Sequence, residues 1–224
     1  MSAENVTIGL WIVQFLRDWS IPTFICTGIL AILALFAPYY NAQRLRKRNA
    51  PKLDIEFDEK IYCRHTQTGK KEEPYFCHFA VVNNGVNQAD DCEAVLEKIW
   101  DDVHGEKDHL KWPERESWIP VNLKWSAERK GSEKACFKTI YPGRKRYFCD
   151  IAFVNSKEGK KFTFELPRTF ISQDTFLKPG SHKIQISVYS KNAAKATEKF
   201  KIDWCGEWKG TQPEMEEGLK IKML

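Results

Sequence analysis

Residues 177–192 read LKPGSHKIQISVYSKN. Pro179-Gly180 is a turn pair, and after it Ile184, Ile186 and Val188 alternate with Lys183, Gln185 and Ser187. Successive side chains on a strand point to opposite faces, so this alternation marks a strand with one buried face and one wet face. Such strands belong to antiparallel sheets that cover a core from one side. The pattern recurs on both sides of this segment. Leu53, Ile55 and Phe57 alternate with Asp54, Glu56 and Asp58, and Phe200, Ile202 and Trp204 share a face. Residues 75–82, YFCHFAVV, end at Asn83-Asn84-Gly85, and residues 92–100 form the next run. Residues 118–125 place Val121, Leu123 and Trp125 at period two, and further strands are expected at 135–140, 146–154 and 161–166. Turn pairs fall at Thr68-Gly69, Asn84-Gly85, Pro142-Gly143 and Glu158-Gly159. No segment after residue 50 carries a long apolar period of 3.6. Short strands separated by turn signals predict a two-sheet antiparallel sandwich over 53–208, followed by a C-terminal tail over 209–224.

The N-terminal part is different. Residues 19–43, WSIPTFICTGILAILALFAPYYNAQ, carry no charge, and Arg44-Leu45-Arg46-Lys47-Arg48 follow at once. A helix of about 20 apolar residues crosses the hydrocarbon core. Ser20 can cap such a helix, Pro22 falls in its first turn, and Pro38 ends it or sits in its last turn. Trp19 at one end and Tyr39 and Tyr40 at the other suit the headgroup level. The expectation is a transmembrane helix over 20–40 and a basic juxtamembrane linker over 41–52. Arg17 stands alone on the N-terminal side, against Arg44, Arg46, Lys47, Arg48 and Lys52 on the other. By the positive-inside rule the chain crosses once and the C-terminal domain is cytoplasmic. A signal peptide is disfavoured, because no basic n-region precedes the apolar core and the −3 positions are bulky. Residues 1–19 form a short apolar segment with a narrow polar stripe. It fits an interfacial helix, the start of one long kinked helix, or a frayed tail. The patch of Arg44, Arg46, Lys47 and Arg48 suits anionic headgroups, or serves orientation alone.

The 224 residues carry a net charge of +5. The first 49 hold five basic and two acidic side chains, or +3, which leaves +2 for the remainder. The domain is therefore not basic overall. Aromatic residues do not interleave with a basic stripe, so no nucleic-acid partner is expected. Cys26 lies in the charge-free stretch; Cys63, Cys77, Cys92, Cys136, Cys149 and Cys205 lie beyond it. An even six is what a secreted disulfide framework shows. A cytoplasmic domain of this size needs no staples, and strand cysteines behave as small buried hydrophobes, so free thiols are expected.

A resemblance adds to the fold. Phe79-Ala80-Val81-Val82-Asn83-Asn84-Gly85-Val86-Asn87-Gln88-Ala89 resembles the strand-plus-turn signature N-x-G-x-x-x-A of prokaryotic immunoglobulin-like domains of the cell-adhesion-related type. Residues 177–192 resemble their later G-x-Y-x-[IV]-x-[IV] strand, with His182 at the usual aromatic position. Pro142-Gly143 before 146–154 fits their middle turn and strand. The match covers most of 75–204. It implies an immunoglobulin-like sandwich with a binding role, and it transfers no catalytic residues. Such domains usually lie outside the cell, which opposes the charge rule.

Three constellations bear on chemistry. Cys63-Arg64-His65 and Cys77-His78 suggest zinc, but alternation turns His78 away from Cys77, and structural zinc sites use a tighter spacing of about two to four residues between cysteines. Residues 101–116 form the longest stretch without pattern and hold Asp101, Asp102, His104, Glu106, Asp108 and His109. A loop of this length carries function or is a solvated charged loop. Trp100, Trp112, Trp118 and Trp125 bracket it, as a stacking platform or as core; Trp204 and Trp208 are expected to close the core. Trp100, Asp102, His104, His109, Trp112 and Trp118 form the candidate binding surface. No phosphate loop, nucleophile elbow or H-E-x-x-H occurs, so no catalytic set, cofactor or metal is expected. The resulting expectation is a membrane-anchored, non-enzymatic interaction or scaffold module whose partners are the bilayer and another protein. The alternatives are an extracytoplasmic ligand-binding module, with carbohydrate as its ligand, and an enzyme with a cleft near His104 and His109.

Overall fold

The computed structural model describes residues 3–66, 74–102, 112–126, 128–157, 161–168 and 174–224. The chain divides into two compact units, Met1–Asn49 and Ala50–Leu224. The first is one helix, α1 (Ala3–Asn49). The helix runs unbroken past the expected boundaries at 19/20 and 40/41 as far as Asn49, so only residues 50–52 of the expected linker lie outside it, and Pro38 does not end it. A proline inside a helix removes one backbone hydrogen bond. Here Ala42, Gln43, Arg44 and Leu45, all good helix formers, continue the turns beyond it. Gln43 Nε2 also donates to the Tyr39 hydroxyl at 2.7 Å, one turn back. Ile29, Leu30, Ile32, Leu33, Leu35 and Phe36 are exposed. At about 100° per residue they surround the helix, which is apolar on every side. Side chains of residues 19–25 lie outside the described set. Among the described residues no helix is long and apolar enough to cross a membrane.

The second unit is mainly antiparallel β and sandwich-like. Its elements are β1 (Leu53–Glu56), α2 (Glu59–Tyr62), β2 (Cys63–His65), β3 (Tyr75–Asn83), β4 (Ala89–Asp101), β5 (Val121–Asn122) and β6 (Lys138–Ile140). Then come β7 (Gly143–Val154), β8 (Phe162–Phe164), β9 (Phe176–Leu177), β10 (Gly180–Tyr189), β11 (Ala196–Trp204), α3 (Gln212–Gly218) and β12 (Leu219–Met223). One sheet runs β1-β3-β7-β8-β9 with β2 also on β3; the other runs β12-β11-β10-β4-β5 with β6 also on β4. Phe79, Val81, Ile151, Phe162 and Phe164 of the first sheet meet Leu96, Ile99, Ile184, Ile186, Phe200 and Ile202 of the second in one core.

The expected strand at 118–125 shrinks to β5 because the chain changes sheets there. Leu123 N–H donates to Ala94 C=O of the second sheet at 2.8 Å. One residue on, Lys124 N–H donates to Glu165 C=O at 3.0 Å, and Trp125 bridges to Cys149 of the first sheet. The Trp125 ring is 1% exposed, and its N–H reaches both Cys92 C=O and Cys136 C=O at 3.2 Å. The expected strand at 135–140 is likewise a 3-10 turn, Glu133–Ala135, followed by β6.

Residues 209–224 are more than a tail. Met215, Leu219 and Ile221 are buried, and β12 pairs with β11 from Phe200↔Met223 to Trp204↔Leu219. Leu219, Ile221 and Met223 alternate with Lys220 and Lys222, the strand pattern that the expected tail overlooks. The Asn83-Asn84-Gly85 turn has a definite cause. The Asn83 side chain accepts from Lys52 N–H at 3.1 Å and Gly85 N–H at 2.9 Å, and donates to Asn87 C=O at 2.8 Å and Ile140 C=O at 3.1 Å. A Cβ at residue 85 would lie 2.5 Å from both Ala50 O and Lys52 N. Gly85→Ala is therefore expected to lower stability by about 1–3 kcal/mol, the usual range for forced overpacking, read as an earlier urea midpoint. An unchanged midpoint would show that the backbone contact is not tight.

Candidate functional site

Asp101 and Arg115, on either side of the stretch 103–111 that lies outside the described residues, are clamped together. Asp101, at the end of β4, accepts from Arg115 Nε at 2.9 Å and Nη2 at 2.8 Å, and its Oδ1 lies 2.7 Å from His182 Nδ1. Burial alone would raise the Asp101 carboxyl, but the hydrogen bonds from His182 and Arg115 hold it well below the usual carboxylate range. Residues 113–115 lie beside β4, with Arg115 N–H on Ile99 C=O at 2.8 Å and Trp100 bridged to Glu114. Asp102 N–H donates to Ser181 C=O at 3.1 Å.

Of the expected binding surface, His104 and His109 lie outside the described residues. Trp112 is buried at 7% exposure. Trp118 is half-buried, its N–H on Leu96 C=O at 3.2 Å and its ring 5.8 Å from that of Phe164. Trp125 and Trp204 are core, and Trp208 packs against it. Trp112 is thus buried and Trp118 packs against the core, whereas Trp100 stands on the wet side of the second sheet. Of the basic run, Arg44, Arg46 and Arg48 are exposed, and the Lys47 side chain lies outside the described residues.

Around Trp100 the fold gathers lysines that are far apart in sequence. Lys98, Lys183 and Lys199 place their ammonium groups 6.0, 5.6 and 5.5 Å from its ring centroid. They come from β4, β10 and β11. A cation over an indole face is attracted by the ring quadrupole, by about 0.5–1 kcal/mol at exposed sites. No local run of sequence contains this arrangement, which is why a search for a basic stripe interleaved with aromatics misses it.

The outer side of the first sheet carries a closed polar cluster. Asp150, 3% exposed, receives Lys124 Nζ at 2.6 Å, His78 Nδ1 at 2.7 Å and the Ser126 hydroxyl. Glu165 lies 3.9 Å from Lys124 Nζ and 3.4 Å from Lys130 Nζ. Burial would raise the Asp150 carboxyl, yet its donors His78, Lys124 and Ser126 hold it down. Burial wins at Glu165 and pushes that carboxyl up, despite Lys130 and Lys124. Ser126 approaches His78 at Nδ1, 3.4 Å away, the same nitrogen that faces Asp150. In a nucleophilic triad the serine meets the other ring nitrogen, so this geometry does not activate Ser126. The signal in the sequence was one charge, Asp150, inside the apolar run YFCDIAFV.

Cys63 and Cys77 stand directly opposite each other on β2 and β3, both buried, while His78 turns to the other side and to Asp150. Among the described residues no group of three or more His, Cys, Asp or Glu could hold a metal ion. All seven cysteines are free thiols. Burial pushes Cys77 and Cys149 up and holds Cys92 at about 11, so these thiols are poor nucleophiles.

No family model matches this chain, and no curated protein is significantly similar to it.

The two carboxylates of the cluster should respond oppositely. Asp150→Asn removes the close partner of the buried Lys124 and leaves it only Glu165 at 3.9 Å, and should cost up to about 3–5 kcal/mol at neutral pH. Because the folded-state value of Asp150 is depressed, its contribution is present above the ordinary carboxylate range and is lost as pH falls through that depressed value. Glu165 is raised, so its contribution is present at acid pH and is lost as pH rises through the raised value. Glu165→Gln should therefore match or exceed the wild type in stability at neutral pH. Urea melts across pH that showed equal losses for both variants would contradict this division.

Proposed function

We propose that this chain is a single-pass membrane protein that presents an immunoglobulin-like sandwich on the cytoplasmic side as a non-enzymatic interaction module. The observation that carries the reading is α1 itself. Residues 19–43 hold no charge, and the apolar side chains from Ile29 to Phe36 are exposed on every side of the helix. Each such side chain left in water forgoes about 1.5–3 kcal/mol of burial. A bilayer supplies that burial over the full circumference, and the basic run from Arg44 to Arg48 ends the stretch at the headgroups.

The topology with the domain inside follows from the same basic run and agrees with the thiols. Cys63 and Cys77 face each other as free thiols, a state that a reducing compartment maintains. The mechanism is localisation. An anchor confines the sandwich to a thin layer beside the membrane and raises its effective concentration toward other membrane-bound proteins. The segment 112–118, tied to β4 by the Asp101–Arg115–His182 hydrogen bonds, offers the contact surface.

Carbonate extraction of membranes containing the full chain tests the anchor. The chain should stay in the pellet and float with lipid, and a detergent pull-down should retain a defined protein partner that Arg115→Ala weakens. Release into the carbonate supernatant would overturn the anchor. A partner bound equally by Arg115→Ala would move the contact away from the clamp.

A further inference from the structure

Lys183, Lys201 and Lys222 stand in one row across three strands. Lys201 is the register partner of both Lys183 on β10 and Lys222 on β12, and Trp100 on β4 is opposite Lys183. The next row holds Lys199, Gln185 and Lys98, and Lys220 extends the face on β12. Like charges directly opposite each other across strands about 4.8 Å apart destabilise a sheet. Two of the six lysines have a carboxylate on this face: Lys98 meets Glu114 at 2.9 Å, and Lys201 meets Asp203 at 3.1 Å. Among the described residues Lys183, Lys199, Lys220 and Lys222 form no ion pair. The face keeps an excess of four positive charges, although the sequence after residue 49 nets only +2.

We propose that this lysine face, centred on Trp100, docks onto the anionic phospholipid headgroups of the leaflet from which the domain emerges. The inference rests on the anchored reading above. Three observations favour a membrane surface over another polyanion. The charges spread over four strands of an open sheet side, a layout suited to a plane rather than to a single extended chain. The edge where an acidic strand could add is closed at Ile221, whose N–H is taken by Glu59 Oε1 at 2.7 Å. Only residues 50–52 separate the end of α1 from β1, so the domain is tethered within a few residues of the basic run. Lysines near an anionic leaflet are attracted within about a Debye length, and a tryptophan at their centre suits the headgroup layer.

The test is lysine acylation read by mass spectrometry, on the full chain in nanodiscs of phosphatidylcholine alone or with about one third phosphatidylserine. Lys183, Lys199, Lys201 and Lys222 should react about fivefold more slowly in the anionic discs, and high salt should abolish the difference. Lys134, exposed on a distant turn, should not change. In a Lys183→Glu, Lys222→Glu variant the protection of Lys199 should disappear while the urea midpoint stays at or above that of the wild type. Equal acylation in both discs, with the chain inserted, rejects lipid docking and leaves the anchor intact. Failure to insert rejects the anchored reading and this one with it. Protection that appears only when an acidic protein or an oligonucleotide is added to neutral discs assigns the face to that partner and overturns the lipid proposal.

Discussion

The ion pair between Lys124 and Asp150, 2.6 Å long and closed to water, marks the point where the two sheets are joined. The segment from Val121 to Ser126 begins on the second sheet and finishes on the first, where Asp150 N–H donates to Lys124 C=O at 2.9 Å and Ser126 N–H to Phe148 C=O at 2.9 Å. Strand side chains alternate, so a slip of one residue would turn Lys124 into the core and Leu123 and Trp125 out of it. A buried lysine without a partner costs several kcal/mol, so the pair acts chiefly against the wrong register. The burial of Trp125 and the cluster around Asp150 depend on that register, while the clamp at Asp101 and the lysine rows depend on the pairing of β4, β10, β11 and β12.

The two outer faces are handled differently. On the first sheet a buried cluster pairs its charges: Asp150 takes Lys124, His78 and Ser126, and Glu165 lies near Lys124 and Lys130. On the second sheet charges are spread and mostly unmatched around Trp100. The first holds its charges in close pairs, and the second sets like charges side by side across its strands. A near-neutral net charge for the domain conceals this division, because the sum does not record which strand a charge sits on or which way it points.

How much was legible from the sequence follows the same logic. Strands with a strict period, such as β10 and β11, could be read with their faces, because local alternation specifies both. The corner at 121–126 could not, since its alternation continues unbroken while its hydrogen-bond partners change. The C-terminal strand was visible as Leu219, Ile221 and Met223 but short enough to pass for a tail. The charge-free stretch was plain, yet its helix runs on through Pro38 to Asn49. The clamp Asp101–Arg115–His182 and the lysine ring of Trp100 depend on register between distant strands, which no spacing encodes. His78 is the opposite case: strand parity alone turned it away from Cys77, and Asp150 is where it went.

If a helical anchor holds this sandwich on the cytoplasmic side, as we propose, Cys205 reports it directly. It is a free and exposed thiol in the domain, whereas Cys63, Cys77, Cys92 and Cys149 are buried. A membrane-impermeant maleimide applied to cells expressing the full chain should leave Cys205 unlabelled until the membrane is permeabilised, and should then label it rapidly. Labelling of Cys205 in intact cells would place the domain outside and contradict the account.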